Sequence, residues 1–464
     1  MKNLLKERAC RAIDESRALL YETVRDIAAA PELGYKEFRT SRYMRQRLEA
    51  LGLPCRDGLA RTGLRADAKG RSSRRTVAVI GELDAVVSPA HPDADEATGA
   101  AHACGHHVQL ANLLGAAVGL VQSGVIAELD GDIAFFAVPA EEFAEMEFRR
   151  RLREEGEVCY LSGKQELIRL GAFDDVDMAM MVHSHSATPE RRLFLGGGSM
   201  GFTAKQIRFE GREAHAGGAP HEGVNALNAA MAALMCIHAN RETFRDEDGI
   251  RVHPIITKGG DLVNVVPADV RMETYVRARN MAALQGACGT VDRSILGAAY
   301  AIGAKAFIDN LPGQLPLRQD AALTALFREN ARAFFREEEI RTGVDLVGST
   351  DMGDLSQLIP CLHPTIGGFA GNAHSRDFRV ADWETAVLLP AKMMAMTVID
   401  LLCDGAAEAE RVCAEFAPAM TKAEYCAFLD SQFGPWPVAG PDDDDAAGCP
   451  APAAGTVRQA DRHG

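Results

Sequence analysis

The stretch ACGHHVQLANLLGAAVGLV, residues 103–121, joins a short polar turn to a long apolar run. A cysteine and two histidines stand at the turn, and the mostly apolar residues after them are typical of a buried helix. Short apolar runs at 76–80 and 133–138 lie on either side of this segment. The resulting strand–helix–strand order predicts an α/β domain whose mostly parallel sheet lies between helices.

The rest of the chain indicates a second domain inserted into the first. A chain of 464 residues exceeds one ordinary core, so two domains are expected. From residue 193 the pattern changes to βαββαβ, which is typical of a ferredoxin-like layer. The pattern of the first domain then returns. The predicted boundaries are 1–192 with 312–435 for the first domain, 193–311 for the inserted domain, and 436–464 for a disordered tail rich in Pro, Ala, Gly and Asp.

Composition limits the classes of function. The net charge of −15 disfavours nucleic acid and anionic membrane surfaces as partners. No apolar run approaches the roughly 20 residues of a membrane span, and the charged N-terminus lacks a signal-peptide core. The 11 cysteines are odd in number and irregularly spaced, as expected of reduced thiols. We therefore expect a soluble cytoplasmic protein with no nucleic-acid or membrane partner.

Acids and histidines follow three of the predicted strands. Ligands of an open parallel sheet bind beyond the carboxyl ends of its strands, so these side chains should gather near Cys104 and His106. The acids and histidines in question are Glu82 and Asp84 after strand 76–80, Glu141 and Glu142 after strand 133–138, and His183 and His185 after strand 178–182.

Such a donor set predicts hydrolytic metal chemistry. More than four Cys, His and carboxylate donors indicate two metal ions, because a structural zinc site is closed by four. Thiolate and imidazole favour zinc or a similar transition metal over magnesium or calcium. Of two adjacent carboxylates, one can bind metal while the other acts as general base toward a metal-activated water. The predicted reaction is hydrolysis of an amide or peptide-like bond.

Several ordered motifs support this prediction. They are PELG at 31–34, HACGH at 102–106, PAEE at 139–142, the segment 177–183, GREAHA at 211–216, GVNAL at 223–227, GGDLVNVVP at 259–267, GSTDMGD at 348–354 and GNAHS at 371–375. Together they resemble the aminoacylase/carboxypeptidase family of dinuclear zinc metallopeptidases. The likeness is to its amidohydrolase branch of auxin-conjugate, hippurate and aminobenzoyl-glutamate hydrolases, and GSTDMGD resembles the aminobenzoyl-glutamate utilisation and dipeptidase-like members.

The resemblance implies two divalent metal ions, most simply zinc, with manganese or cobalt as alternatives. The implied ligands are Cys104 as the bridge, His106, Glu142, His183 and His374. His185 competes with His183, although the spacing from Asp177 favours His183.

Further roles follow from the same resemblance. Glu141 would be the general base, and His215 would reach the partner subunit's site to stabilise the oxyanion. Asn264 and Arg277 would hold the substrate's carboxylate, with Arg279 as a rival to Arg277. Asp84 would orient a ligand. The inserted domain would act as a lid and form a homodimer.

The chain departs from the resemblance at two places. His107 stands where many branch members carry Asp directly after Cys-Gly-His. Ala28-Ala29-Ala30-Pro31 stands where His-x-His-Pro is common. Both places surround the implied ligands rather than supply them, so they bear on metal choice and on the substrate.

Two alternatives remain beside the metallohydrolase. One is a metal-independent cysteine hydrolase using Cys104, although neighbours two residues apart rarely present a nucleophile and a base to each other. The other is a non-catalytic binding dimer on the same fold. The favoured function is cleavage of a small carboxylate-bearing amide: an N-acyl or N-aroyl amino acid, an aminobenzoyl-glutamate-like conjugate or a dipeptide.

Overall fold

The computed structural model describes residues 1–346 and 348–435, so the predicted tail at 436–464 lies outside the described residues. The chain divides into two compact units. The first comprises Met1–Phe202, Arg277–Leu284 and Pro312–Ser431, and is discontinuous in sequence. The second comprises Thr203–Val276, Gln285–Leu311 and the described residues from Gln432 onward.

The helices and strands of the described residues follow in chain order. The α-helices are α1 Lys2–Glu15, α2 Arg17–Ala28, α3 Phe38–Glu49, α4 His106–Ala117, α5 Met146–Glu154, α6 Gly163–Arg169, α7 Ala226–Asn240, α8 Met281–Ile302, α9 Ala321–Ala331, α10 Met352–Leu355, α11 Leu389–Leu402, α12 Ala407–Glu415 and α13 Lys422–Gln432. The strands are β1 Cys55–Leu59, β2 Gly63–Ala68, β3 Thr76–Glu82, β4 Val86–Val87, β5 Ala100–Ala101, β6 Asp132–Val138, β7 Met178–Met180, β8 His183–Ser184, β9 Leu193–Leu195, β10 Gly201–Glu210, β11 Arg251–Val252, β12 Ile255–Lys258, β13 Asp269–Ala278, β14 Lys305–Pro312, β15 Ile340–Thr342, β16 Cys361–Leu362, β17 Thr365–Ile366, β18 Phe369–Ala370, β19 Arg379–Val380 and β20 Gly434–Pro435.

The main sheet of the first unit has the strand order β1-β2-β6-β3-β7-β16. Strands β6, β3, β7 and β16 run parallel, whereas β1 and β2 form an antiparallel edge. Every residue of β6 is buried, because helices cover a parallel sheet on both faces and select near-continuous apolar strands. The predicted α/β class is confirmed.

Helix α4 forms most of the segment 103–121, on which the fold prediction rested. All of its residues are buried, and it packs against β3, α2 and α11. Gly105 precedes it with φ 101°, and a Cβ there would meet the Ser184 side chain at 2.9 Å. Only glycine fits this left-handed position, so the turn holds Cys104 and His106 in fixed directions.

One stretch of the first unit is an exception to the expected absence of membrane-length apolar runs. Glu384–Leu402 spans 19 residues with a mean hydropathy of 1.6, which satisfies the length and composition of a membrane span. In this structure 94% of that stretch is buried within the protein. A buried core helix has the same composition.

The second unit has the predicted βαββαβ order, with α7 and α8 between strands of one sheet. Its strand order is β11-β13-β10-β14-β20, and β12 also pairs with β13. Strands β11 and β12 are separated at Pro254, which has no N–H to donate to a ladder. Helix α8 continues through Ile302, and β14 begins at Lys305.

Candidate metal centre

The five predicted ligands fall into two donor groups that share Cys104. One group contains Cys104, His106 and His183, and the other contains Cys104, Glu142 and His374. Within each group the donor atoms lie within 4.8 Å of one another. A thiolate common to two groups is the arrangement that a bridging ligand between two cations requires.

Hydrogen bonds at Nδ1 determine which ring nitrogen His106 and His183 can offer to a metal ion. His106 Nδ1 lies 2.8 Å from the Asp84 carbonyl oxygen, which can only accept, so Nδ1 carries the proton. His106 Nε2 is then a free donor atom, and it is buried without a hydrogen-bond partner. His183 Nδ1 likewise donates to the Ser184 carbonyl at 2.9 Å, which leaves Nε2 3.5 Å from Cys104 Sγ. The unpartnered Nε2 of His106 and the Nε2 of His183 beside the shared thiol fit metal coordination.

Backbone geometry presents the remaining donors. Ala140 and His374 adopt positive φ angles of 53° and 61°, which are uncommon for residues other than glycine and concentrate at functional sites. The positive φ of Ala140 turns the chain directly after β6, at the point where Glu141 and Glu142 begin the next segment. His374 Nε2 then lies 3.0 Å from Glu142 Oε1.

Charges and hydrogen bonds within the site favour the ionised forms of Cys104 and Glu142, and they also raise the pKa of His106, His183 and His374 against the effect of burial. Burial and Glu142 raise the pKa of the Cys104 thiol, but the His106 and His183 imidazoles outweigh them and hold it at about 6. Burial also raises the pKa of Glu142, while the hydrogen bond from His374 lowers it to about 2. Cys104 is therefore mostly a thiolate at neutral pH, the form that binds metal.

Glu141 lies beside these donors in a different environment. Gln314 Nε2 donates to its carbonyl oxygen at 2.8 Å and to Oε1 at 3.1 Å, while Oε2 is 3.9 Å from His106 Nε2. Burial, followed by the charges of Glu82 and Glu142, raises the pKa of Glu141 well above its ordinary value. A carboxylate with a raised pKa is a stronger base than an ordinary one, which suits a group that accepts a proton from water.

A buried lysine, Lys164, contacts the acids next to the donor groups and was not predicted from the sequence. Lys164 Nζ is 2.6 Å from Glu82 Oε1 and 2.5 Å from Asp351 Oδ1, and all three side chains are fully buried. Lys164 falls in the charged stretch 141–170, which is typical of a solvated helix. The sequence singled out the two acids of this network, Glu82 after strand 76–80 and Asp351 within the motif GSTDMGD, but not the lysine between them.

Glu82 connects this lysine to the metal centre. Its Oε2 accepts a hydrogen bond from Gln109 Nε2 at 2.8 Å and lies 3.1 Å from His106 Nε2. Glu82, His106 and Glu141 form a third donor group. The Asp84 carbonyl accepts a hydrogen bond from His106 Nδ1 at 2.8 Å, and Asp84 Oδ2 accepts the Glu142 N–H at 2.9 Å.

His185 and Arg279, the alternatives to His183 and Arg277, have surroundings that differ from those of the favoured residues. His185 belongs to none of the three donor groups, and its ring stacks at 3.7 Å on Phe194. Arg277 Nη1 donates to Ser349 Oγ at 2.8 Å. Arg279 is exposed, with Nε 3.7 Å from Asp345 Oδ2.

Three further predicted residues belong to none of the donor groups found among the described residues. His107 is buried, and its ring centroid is 5.1 Å from that of His102. His215 and Asn264 are exposed on the second unit, where the Ala216 N–H donates to the Asn264 carbonyl at 2.9 Å. His215 Nδ1 accepts N–H bonds from Gly217 and Gly218 at 3.2 and 2.8 Å, so its proton is on Nε2.

The fold and the donor groups define the class of protein, an α/β metallohydrolase with an inserted second unit. The family model of the peptidase dimerisation domain, M20_dimer, matches residues 197–291. The Xaa-Arg dipeptidase of Mus musculus is 29% identical over 430 residues, covering 86% of this chain and 89% of that protein. The N-acetylcysteine deacetylase of Bacillus subtilis (strain 168) is 26% identical over 293 residues, covering 61% and 71%.

Solved structures share the fold. A Bacillus subtilis dinuclear metal binding peptidase from the M20 family superimposes with a TM-score of 0.65 at 23% identity, covering 84% of this chain and 99% of that chain. The aminobenzoyl-glutamate utilization protein from Klebsiella pneumoniae gives 0.62 at 19% identity, covering 84% and 97%. The predicted family resemblance is confirmed, and so is the prediction of a hydrolase related to metal-dependent peptidases and deacetylases.

Proposed function

We propose that this protein is a two-metal amidohydrolase that cleaves a small amide or dipeptide bearing a free carboxylate. The observation that carries the proposal is the pair of donor groups sharing Cys104, with the buried acid Glu141 beside them. Divalent ions bound there, zinc or alternatively manganese or cobalt, would polarise the scissile carbonyl and make water more acidic.

The residues around the ions have separate tasks in this proposal. Cys104, His106 and His183 would hold one ion, and Cys104, Glu142 and His374 would hold the other. Glu141 takes a proton from the attacking water and returns it to the leaving amine nitrogen. Its raised pKa supports the first half of that transfer.

Substrate contacts come from residues outside the donor groups. The Nε2–H of His215 would donate to the developing oxyanion in the partner subunit's site, which is the electrostatic task that contributes most to amide hydrolysis. Arg277 and Asn264 would hold the substrate's carboxylate, and a guanidinium suits bidentate binding of such a group.

A substrate panel with metal analysis tests the function. We expect turnover of N-acetyl amino acids including N-acetylcysteine, N-benzoyl amino acids, aminobenzoyl-glutamate or dipeptides ending in arginine, and loss of turnover for matched amides without the carboxylate. Exhaustive chelation should abolish activity, and zinc, manganese or cobalt should restore it. Activity that survives chelation would favour the cysteine hydrolase instead. No turnover across the panel with two metals bound would favour the non-catalytic dimer.

The proposal includes a homodimer formed through the inserted unit, in the cytoplasm. The match to a dimerisation domain supports the dimer. Exposed apolar side chains on the same unit also support it: Met231 is 52% exposed, Met235 72% and Ile255 60%. The ten cysteines of the described residues are all free thiols, which supports a reducing compartment.

Charge placed on one face of α7 is expected to separate the dimer. Met231 and Met235 are four residues apart and share a helix face. The double variant Met231→Glu/Met235→Glu should weaken association by about 100-fold or more, since unpaired charges in an interface are strongly unfavourable. Light scattering after size-exclusion chromatography measures this. Leu4→Glu, at an exposed apolar position of the first unit, is the matched control. A double variant as dimeric as the control would place the interface elsewhere.

A further inference from the structure

The two departures from the family resemblance meet in one cavity of the first unit. The cavity has a volume of about 200 Å³. Its wall includes Ala28, from the segment where His-x-His-Pro is common, and His107, which stands where Asp is common. None of the metal donor groups among the described residues includes a residue of this wall. The metallohydrolase function therefore leaves the cavity unexplained.

Two buried imidazoles face the cavity without partners. His102 and His107 are only 5% and 6% exposed. Both ring nitrogens of His102 and Nδ1 of His107 have no hydrogen-bond partner. A buried polar atom left unpaired is unfavourable, so native proteins rarely keep several in one place without a ligand or water to satisfy them.

The charge on the wall points to an anion. Arg25 and Arg379 both line the cavity, and neither forms an ion pair within the part of the chain that the structure describes. The Arg25 guanidinium lies 5.0 Å over the Trp383 ring, which holds it at the wall. Asp93 is the single acid of the lining, and it is exposed, as are both arginines. Positive charge therefore exceeds negative charge around the buried imidazoles.

The third histidine of the wall is already satisfied. His91 Nε2 lies 3.0 Å from the Phe378 carbonyl, and Nδ1 accepts the Asp93 N–H at 3.1 Å. His91, His102, His107 and Asp93 do not form a metal donor group in the described residues. The observations thus favour an organic anion over a third metal ion.

We propose that this cavity binds a small monocarboxylate at a site separate from the metal centre. His102 and His107 donate imidazole N–H bonds to the carboxylate oxygens, and Arg25 supplies the compensating charge. The carboxylate is either an acid product of the proposed hydrolysis or an acid from solution. Binding itself does not depend on turnover, so this site can exist even if the proposed reaction is wrong.

Calorimetric titration of the metal-loaded full-length protein with acetate tests the site, with acetamide as the neutral match. Since metal ions also bind acetate, two variants isolate the cavity: Ala28→Leu fills it, and Arg25→Met removes one of its two positive charges. Arg11→Met, at an exposed position of α1, is the matched control. We expect an acetate-binding event in the wild type and the control that weakens at least about tenfold in both variants, the effect of losing one charge-assisted contact. The content of two metals should not change.

The outcomes separate the possible ligands. Equal acetate binding by wild type and both variants would assign the event to the metal centre and overturn the proposal. Acetamide binding as tight as acetate would show a polar rather than an anionic site. A third equivalent of metal that disappears in His102→Leu would make the cavity a metal site. If the proposal holds, repeating the titration with the acid products of the substrate panel shows whether product or free acid is the better ligand.

Discussion

Replacing Glu141 with glutamine is expected to lower kcat by about 10²–10⁴-fold while both metal ions stay bound. Glutamine keeps the shape of the side chain and can still contact Gln314, but it cannot accept a proton from water. Because Glu141 lies outside the two groups that share Cys104, metal content should not fall. Steady-state kinetics and elemental analysis of the same preparation measure the two effects.

Two further variants serve as controls for Glu141→Gln. Glu142→Gln changes a member of a donor group, so it should lose metal as well as activity. Glu147→Gln, at an exposed position of α5, should change neither. Unchanged turnover in Glu141→Gln with two metals bound would show that another group accepts the proton.

Replacing Cys104 with serine is expected to remove the common ligand of both donor groups. A serine hydroxyl does not ionise at neutral pH, whereas the pKa of Cys104 is held at about 6 by His106 and His183 against burial and Glu142. Loss of residues that merely support ligands costs 10–100-fold in metal affinity, so loss of the bridge should cost more than about 100-fold. Metal retained after dialysis, and titration of the stripped protein with zinc, measure the loss.

The same variant separates the metal-dependent mechanism from the cysteine nucleophile. A cysteine hydrolase would lose activity in Cys104→Ser and keep whatever metal it binds. A two-metal hydrolase loses metal first, and its activity falls with it. Cys413→Ser, on α12, is the matched control and should keep both.

The parts of the site that follow strands were predictable from sequence. The carboxyl ends of β3, β6 and β7 meet at one edge of a parallel sheet, so the acids and histidines after them must converge. His374 follows no strand of that sheet, and only the GNAHS motif drew attention to it. Lys164 was unpredictable for a different reason. Whether a lysine in a charged stretch is solvated or buried between Glu82 and Asp351 depends on tertiary packing.

The discontinuity of the first unit governs when the metal centre can form in the cell. Ribosomes release the chain from its N-terminus, so Cys104, His106 and His183 emerge long before β16 and His374. Between them the ribosome produces most of the inserted unit, which can fold while the surrounding domain is still incomplete. A nascent chain can thus gather one trio of donors early, but the other trio exists only after His374 has been synthesised. The complete pair of donor groups therefore has to await the segment that follows the inserted unit.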